Sequence, residues 1–227
     1  MTNLPMLKVC GMQEMTTIEA AASLSMDYLG FIFAPSRRRI SQEQAHEFVK
    51  RLRQLGGKQQ CVGVFVNASL DEVADITAHT PLDIVQFHGQ EAPTWIQHFR
   101  NRVSSVKVWK AIGVSPELEH TEEHIAARLS GYANCIDALL LDAYDPHIGG
   151  GTGRTFRWEL IPHYAAWCRQ HRLQLWIAGG LNADNVNPLL TNYAEYLQGI
   201  DVSSGVETEG KKDINKMIKM IERVKGK

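Results

Sequence analysis

No sign of charge dominates this chain. Its 24 lysines and arginines face 25 aspartates and glutamates, a formal net charge of −1 with the nine histidines neutral. So even a balance excludes a bulk surface for nucleic acid or anionic membrane, and any strong field must be local to a site. Cysteine is sparse as well: Cys10, Cys61, Cys135 and Cys168 are widely spaced and form no C-x-x-C pair. With no secretory leader, they read as reduced thiols of a cytoplasmic protein, neither a disulfide framework nor a zinc site. No apolar run approaches the length of a bilayer span. No linker, low-complexity tract or charge block divides the 227 residues, and 44% hydrophobic content is enough for a sizeable core. The expectation is one domain over residues 1–227.

What the chain does have is a repeat of strand and helix signals. Apolar, strand-like runs begin near Leu7, Leu29, Val62, Ile84, Val106, Leu139, Leu175 and Tyr196. Each gap has room for two loops and a helix. The runs are nearly continuous, as in Cys61-Val62-Gly63-Val64-Phe65-Val66, which suits strands buried on both faces of a parallel sheet. Thr16-x-x-Glu19, Ser41-x-x-Gln44 and Ser69-x-x-Glu72 have the form of capping boxes, and Pro93 can open a helix at its first turn. The last helix is expected to set Ile214, Met217, Ile218, Ile221 and Val224 on one face. Eight alternations imply a closed (β/α)8 barrel or an eight-unit doubly wound sheet.

Two glycine turns organise the rest. Ala178-Gly179-Gly180-Leu181-Asn182 and Asp201-Val202-Ser203-Ser204-Gly205-Val206-Glu207 each follow an apolar run and precede a potential helix. Uncovered backbone N–H groups and a helix N-terminus make a seat for a phosphate dianion, as barrels build after strands 7 and 8; the bland alternative is tight turns alone. Gly149-Gly150-Gly151-Thr152-Gly153 fits neither a Walker A loop nor G-x-G-x-x-G, and reads as a mobile loop over a site.

The strand ends then supply candidates. Cys10, followed by Gly11, is either a thiolate base or a small buried residue. Asp142 follows the uncharged run Ala138-Leu139-Leu140-Leu141 and is either a general acid or a cap on the next loop. Of Arg37, Arg38 and Arg39, one guanidinium can turn inward and fork a carboxylate while the other two stay solvated. His88 could donate, accept or simply pack. Asp201 either meets a substrate amine or holds its own loop. Asp142, Asp145 and His147 lack a further matching ligand, so no metal site is expected.

Taken in order, Lys8-Val9-Cys10-Gly11, Phe33-Ala34-Pro35-Ser36-Arg37-Arg38-Arg39-Ile40-Ser41, Gln86-Phe87-His88-Gly89, Leu140-Leu141-Asp142, Gly150-Gly151-Thr152-Gly153-Arg154-Thr155-Phe156 and the two glycine turns resemble the motifs of the phosphoribosylanthranilate isomerase family, with Gly210-Lys211-Lys212-Asp213 trailing. The resemblance implies a (β/α)8 barrel that performs an Amadori rearrangement on N-(5-phosphoribosyl)anthranilate without metal or cofactor. It implies Asp142 as general acid, Cys10 as general base and Arg38 on the anthranilate carboxylate. It further implies Asp201 facing the bridging amine, His88 among the substrate-binding residues, and Gly179, Gly180, Ser204 and Gly205 around the phosphate. Met12 and Gln13 depart from the residues usual in the family at those positions. The partner is then a small phosphorylated substrate, with no nucleic acid or membrane, and the assembly a monomer or homodimer. The histidine-pathway sugar isomerase, the nearest rival, has an aspartate in the place of Cys10. A non-catalytic phosphate-binding barrel would need neither Cys10 nor Asp142.

Overall fold

The strands near-continuous in apolar residues are buried on both faces because they close on themselves. The computed structural model describes residues 4–115, 120–143 and 155–226. In chain order the elements are β1 (Met6–Cys10), α1 (Met15–Ala21), β2 (Tyr28–Ile32), α2 (Gln42–Gln54), β3 (Gln60–Phe65), α3 (Leu70–His79), β4 (Ile84–Phe87), α4 (Pro93–Arg102) and β5 (Lys107–Val114). They continue as α5 (Glu122–Leu129), β6 (Ala138–Ala143), α6 (Ile161–Gln170), β7 (Gln174–Ile177), α7 (Val186–Tyr193) and β8 (Gly199–Val202). A short hairpin of β9 (Glu207–Thr208) and β10 (Lys211–Lys212) leads into α8 (Ile214–Lys225). Strands β1 to β8 form a closed parallel barrel, sealed where Lys8 of β1 lies in register with Asp201 of β8. This is the (β/α)8 architecture expected from the sequence.

Alternation along each strand divides the core in two. Leu7, Val9, Leu29, Phe31, Leu139 and Leu141 belong to the layer between sheet and helices. Tyr28, Val62, Val64, Ile84, Trp109, Ala111, Ala138, Leu140, Trp176 and Ala178 form a separate cluster within the barrel, with Cys10. Trp109 and Trp176 meet at 4.5 Å between ring centroids, and Tyr28 meets Trp176 edge-on at 5.0 Å. One inward position further along each of these strands stands a small residue: Gly30, Ala111 or Ala178. Bulk therefore fills the barrel towards its N-terminal end and leaves room at the C-terminal end, where barrels do their chemistry.

The opposite end is tied by three aspartates, each immediately before an even-numbered strand. Asp27 accepts the Leu7 N–H, Asp83 the Cys61 N–H and Asp137 the Val108 N–H, all at 2.7 Å. Lys225, Arg53 and Arg100 pair with the same carboxylates. Removing one leaves a strand-end N–H and a cation without their acceptor. Asp137→Ala is expected to cost about 1.5–3 kcal/mol, the range for a hydrogen bond to a charged group. The check is a lower denaturant midpoint at unchanged slope, with kcat preserved.

Some local expectations need correction. Thr16 is not a cap: the Thr17 and Ile18 N–H groups already bond to Glu14 O, so α1 starts one residue before Thr16. Ser41 makes both halves of its capping box, whereas Ser69 makes one bond, accepting from the Glu72 N–H. Pro93 opens α4 as expected. Tyr196 ends a 3-10 turn, and β8 begins at Gly199. On α8 the buried stripe is Met217, Met220, Ile221 and Val224, with Ile214 and Ile218 exposed. The apolar pattern could be drawn on either side of Met217 and Ile221, and packing chose Met220. The glycine run 149–153, with Asp145 and His147, lies outside the described residues.

Candidate active site

At the open end of the barrel, the inward positions of β1 and β8 carry charge. Lys8 is fully buried, and its Nζ donates to Asp201 Oδ2 at 2.7 Å. Burial alone would lower the lysine, but Asp201, with help from Cys10, holds it above its ordinary value as an ammonium. Two residues along the same face is Cys10. Burial pushes its thiol up; Lys8 and Lys212 pull the other way and Asp201 adds to the rise, leaving it raised. The thiol has room because its neighbour is glycine: a Cβ on Gly30 would lie 2.7 Å from Cys10 Sγ. Asp201 Oδ1 is buried and has no hydrogen-bond partner among the described residues.

Across from these, β4 and β6 supply a second pair. His88, just past β4, places Nε2 3.1 Å from Asp142 Oδ2. Gln86 Nε2 stands 3.2 Å from the other ring nitrogen. Both the tautomer protonated at Nε2 and the imidazolium donate from Nε2 to Asp142 across this distance. Charge on Asp142 and His88 is felt at Asp201, so both pairs belong to one electrostatic site.

The arginine run resolves by burial. Ser36 Oγ accepts the Arg38 N–H at 3.1 Å and turns Arg38 inward, its side chain 12% exposed against 61% for Arg37. Its guanidinium does fork a carboxylate, and that carboxylate is the protein's own Glu207. Arg38 Nε meets Glu207 Oε1 at 2.7 Å and Nη2 meets Oε2 at 2.9 Å. Lys212 Nζ adds a bond to Oε1 at 2.6 Å and Arg37 one to Oε2 at 2.8 Å. Burial would raise this carboxyl, but the bonds from Arg38 and Lys212 outweigh it and hold it down to about 2. Three cations on one carboxylate leave an excess of positive charge at the rim. Glu207 and Lys212 face each other because β9 and β10 pair antiparallel across a two-residue turn, Glu209 and Gly210, both at positive φ.

The two glycine turns lie against each other. Gly179 and Gly180 have φ of 89° and 60°, and a Cβ on Gly179 would meet Ala143 N at 2.5 Å, beside Asp142. A Cβ on Gly205 would fall 1.9 Å from Leu181 O, so the turn after β8 packs backbone to backbone on the turn after β7. Ser204 begins a 3-10 turn that runs to Val206. Asn185 ties the first turn by donating to Gly180 O, and Ser203 Oγ bonds the second to Cys10 O.

Every site residue expected from the sequence thus lies at the C-terminal end of the barrel or on the turns just beyond it. Sequence reasoning assigned no role to Lys8, Glu207, Lys212 or Gln86. Lys8 left a signal: it is a charge inside an apolar strand, two positions before Cys10 and so on the same face. Gln86 left the same signal two positions before His88. Among the described residues, no group of three or more His, Cys, Asp or Glu side chains could hold a metal ion.

Residues 7–223 match the family model described as N-(5'phosphoribosyl)anthranilate (PRA) isomerase. The N-(5'-phosphoribosyl)anthranilate isomerase of Brevibacillus brevis is 39% identical over 219 residues, covering 96% of this chain and 93% of that protein. Among solved structures, mutually generated monomers of the dimeric phosphoribosylanthranilate isomerase from Thermotoga maritima superpose with a TM-score of 0.77 at 30% identity. A phosphoribosyl anthranilate isomerase in complex with reduced 1-(o-carboxyphenylamino)-1-deoxyribulose 5-phosphate gives the same TM-score and identity. Each of these two structures covers 99% of this chain and is itself covered in full.

Proposed function

Because the chain belongs to the phosphoribosylanthranilate isomerase family of tryptophan biosynthesis, we propose that it rearranges phosphoribosylanthranilate with Asp142 as general acid and Cys10 as general base. The observation that supports this division is that the two residues, from β6 and β1, end inward-facing at one end of the barrel, with the charge of Asp142 felt at Asp201 and that of Asp201 felt at Cys10. Asp142 gives a proton to the furanose ring oxygen, the C1–O bond breaks, and the nitrogen lone pair forms an iminium. Cys10, as thiolate, takes the C2 proton, giving an enolamine. Delivery of a proton to C1 and loss of one from the 2-hydroxyl yield the ketone and reset both groups. The product, 1-(2-carboxyphenylamino)-1-deoxyribulose 5-phosphate, is an isomer of the substrate, and none of the four proton transfers calls for a metal or cofactor.

Substrate contacts follow the same frame. The unpartnered Asp201 Oδ1 accepts the bridging amine N–H, and His88 lies beside it through Asp142. Arg38, fixed by Glu207 through Nε and one N–H of Nη2, turns its remaining N–H groups to the anthranilate carboxylate. Gly179, Gly180, Ser204 and Gly205 seat the phosphate, a group also present on the reduced ligand held by the solved relative. Gly205→Ala is expected to part the two turns and raise KM about ten-fold or more, a loss of roughly 1.4 kcal/mol of binding, with kcat much less affected. All four cysteines are free, as suits a cytoplasmic setting. No helix among the described residues is long and apolar enough to cross a membrane. The dimeric Thermotoga maritima relative keeps the homodimer beside the monomer as an assembly for this chain.

The test is turnover of freshly made phosphoribosylanthranilate in chelator-treated buffer, followed by loss of anthranilate fluorescence. Conversion should survive chelation. Arg38→Ala should raise KM about 10- to 100-fold, the worth of a charge-assisted hydrogen bond or two, with kcat within a few-fold. An equal effect from Arg37→Ala with none from Arg38→Ala would sink the carboxylate assignment.

A further inference from the structure

A lysine in the interior of a barrel is costly unless something there needs its charge. Lys8 is 0% exposed and is not among the groups that the reaction above consumes. Its Nζ is fixed by Asp201 Oδ2 at 2.7 Å, across the β1–β8 seam. Cys10 lies two residues along on the same face of β1, and the charges of the two groups act on each other. We propose that Lys8 is the positioning residue of the general base: held by Asp201, its ammonium stabilises the Cys10 thiolate that removes the C2 proton. This rests on the reading of Cys10 as base.

The surroundings of Cys10 make the case. From β8 comes Asp201, whose charge opposes a thiolate; from β10 comes Lys212, which favours it. Arg38, on the turn after β2, also acts on Cys10, while Asp142 and His88 act on Asp201 from β6 and β4. Lys212 is shared with the Glu207 carboxylate and Ser203 O, and Arg38 is forked to Glu207. Both are therefore largely neutralised by an acid that touches neither the thiol nor Lys8. Lys8 alone sits on the strand that bears the thiol, with Asp201 as its anchor. Burial works against ionisation of Cys10, and of the charges around the thiol Lys8 opposes burial most strongly. Without it the thiol would stay protonated to higher pH. The geometry gives Asp201 two tasks, one per oxygen: Oδ2 orders Lys8, while Oδ1, unpartnered among the described residues, is left for substrate.

The competing reading is a tie between β1 and β8 that matters only for stability. A tie would move the unfolding midpoint and leave the thiol's titration in place. The experiment reads thiolate ultraviolet absorbance against pH in the free protein, with the matching Cys10→Ser protein subtracted. The subtraction removes the background of the tyrosines and of Cys61, Cys135 and Cys168, whose thiols burial also pushes up. In Lys8→Met the Cys10 titration should rise by at least about one unit, ten-fold less thiolate at a given pH. The acid limb of kcat/KM should move with it. Lys8→Met leaves Asp201 buried without its cation, so the charge-neutral pair Lys8→Met/Asp201→Asn provides a second variant that can fold if the first does not. There the titration should also rise, by less, because the opposing aspartate is gone as well. Titration at the wild-type pH in either folded variant overturns the proposal. A Cys10→Ser protein with near wild-type kcat would instead remove Cys10 as the base, while a shifted titration in that event still ties Lys8 to the thiol.

Discussion

Cys10→Ser is expected to lower kcat for phosphoribosylanthranilate by about 10²–10⁴-fold, the usual worth of one positioned acid or base, while KM changes only a few-fold. The substitution is nearly silent in shape. Gly30 leaves the space that either side chain fills, and the bond from Ser203 Oγ goes to the Cys10 carbonyl, which serine retains. Arg38 still lies over Gly11, where φ is +84° and a Cβ would meet the arginine Cδ at 2.6 Å. The Arg38–Glu207 fork and the two glycine turns therefore stay where they were. What disappears is an acidic proton: a serine hydroxyl beside Lys8 remains a hydroxyl at any pH the fold survives, so the C2 proton loses its acceptor. A rise in KM with kcat intact would mean that Cys10 only shapes the pocket. The pH profile separates the cases further, because the limb that reports ionisation of the base should vanish in the serine protein and persist if Cys10 is a bystander.

Much of this arrangement was legible because it depends on periodicity and on strand ends. The two-residue alternation puts Cys10, Asp142 and Asp201 inward as soon as the strands are placed, and uncharged flanks mark Asp142 out. The glycine turns were legible because positive φ and close backbone approach leave little choice of residue at Gly179 and Gly205. The β9–β10 hairpin was not legible. Two-residue strands carry no periodicity, and Glu207 and Lys212 become neighbours only through a turn made by Glu209 and Gly210. For that reason the carboxylate that Arg38 forks was invisible, though a fork itself was expected. Thr16 misled because S/T-x-x-E also occurs inside helices, where the hydroxyl has no orphan N–H to serve. Ile214 and Ile218 misled because an apolar stripe on a helix can be drawn about more than one centre, and only packing decides. Lys8 carries its signal in its parity with Cys10, as a lone charge inside an apolar run.

Asp142→Asn should also reduce kcat by about 10²–10⁴-fold, and its value lies in how little else it alters. An asparagine oxygen can take the place of Oδ2 and still accept the His88 Nε2–H across 3.1 Å. Gln86 keeps its own contact with the imidazole at 3.2 Å, so the ring does not swing. The amide occupies the carboxyl's volume against Ala143 and Gly179, where a Cβ on the glycine would already lie 3.0 Å from Asp142 Oδ1. Binding of the reduced, ring-opened product analogue, which needs no proton from the enzyme, should be nearly unchanged. Ring opening should fail, because the furanose oxygen leaves as an alkoxide unless something protonates it. The two measurements together decide the role. Tight analogue binding with lost turnover identifies Asp142 as the acid, whereas loss of both in equal measure would make it a structural partner of His88 and not the acid.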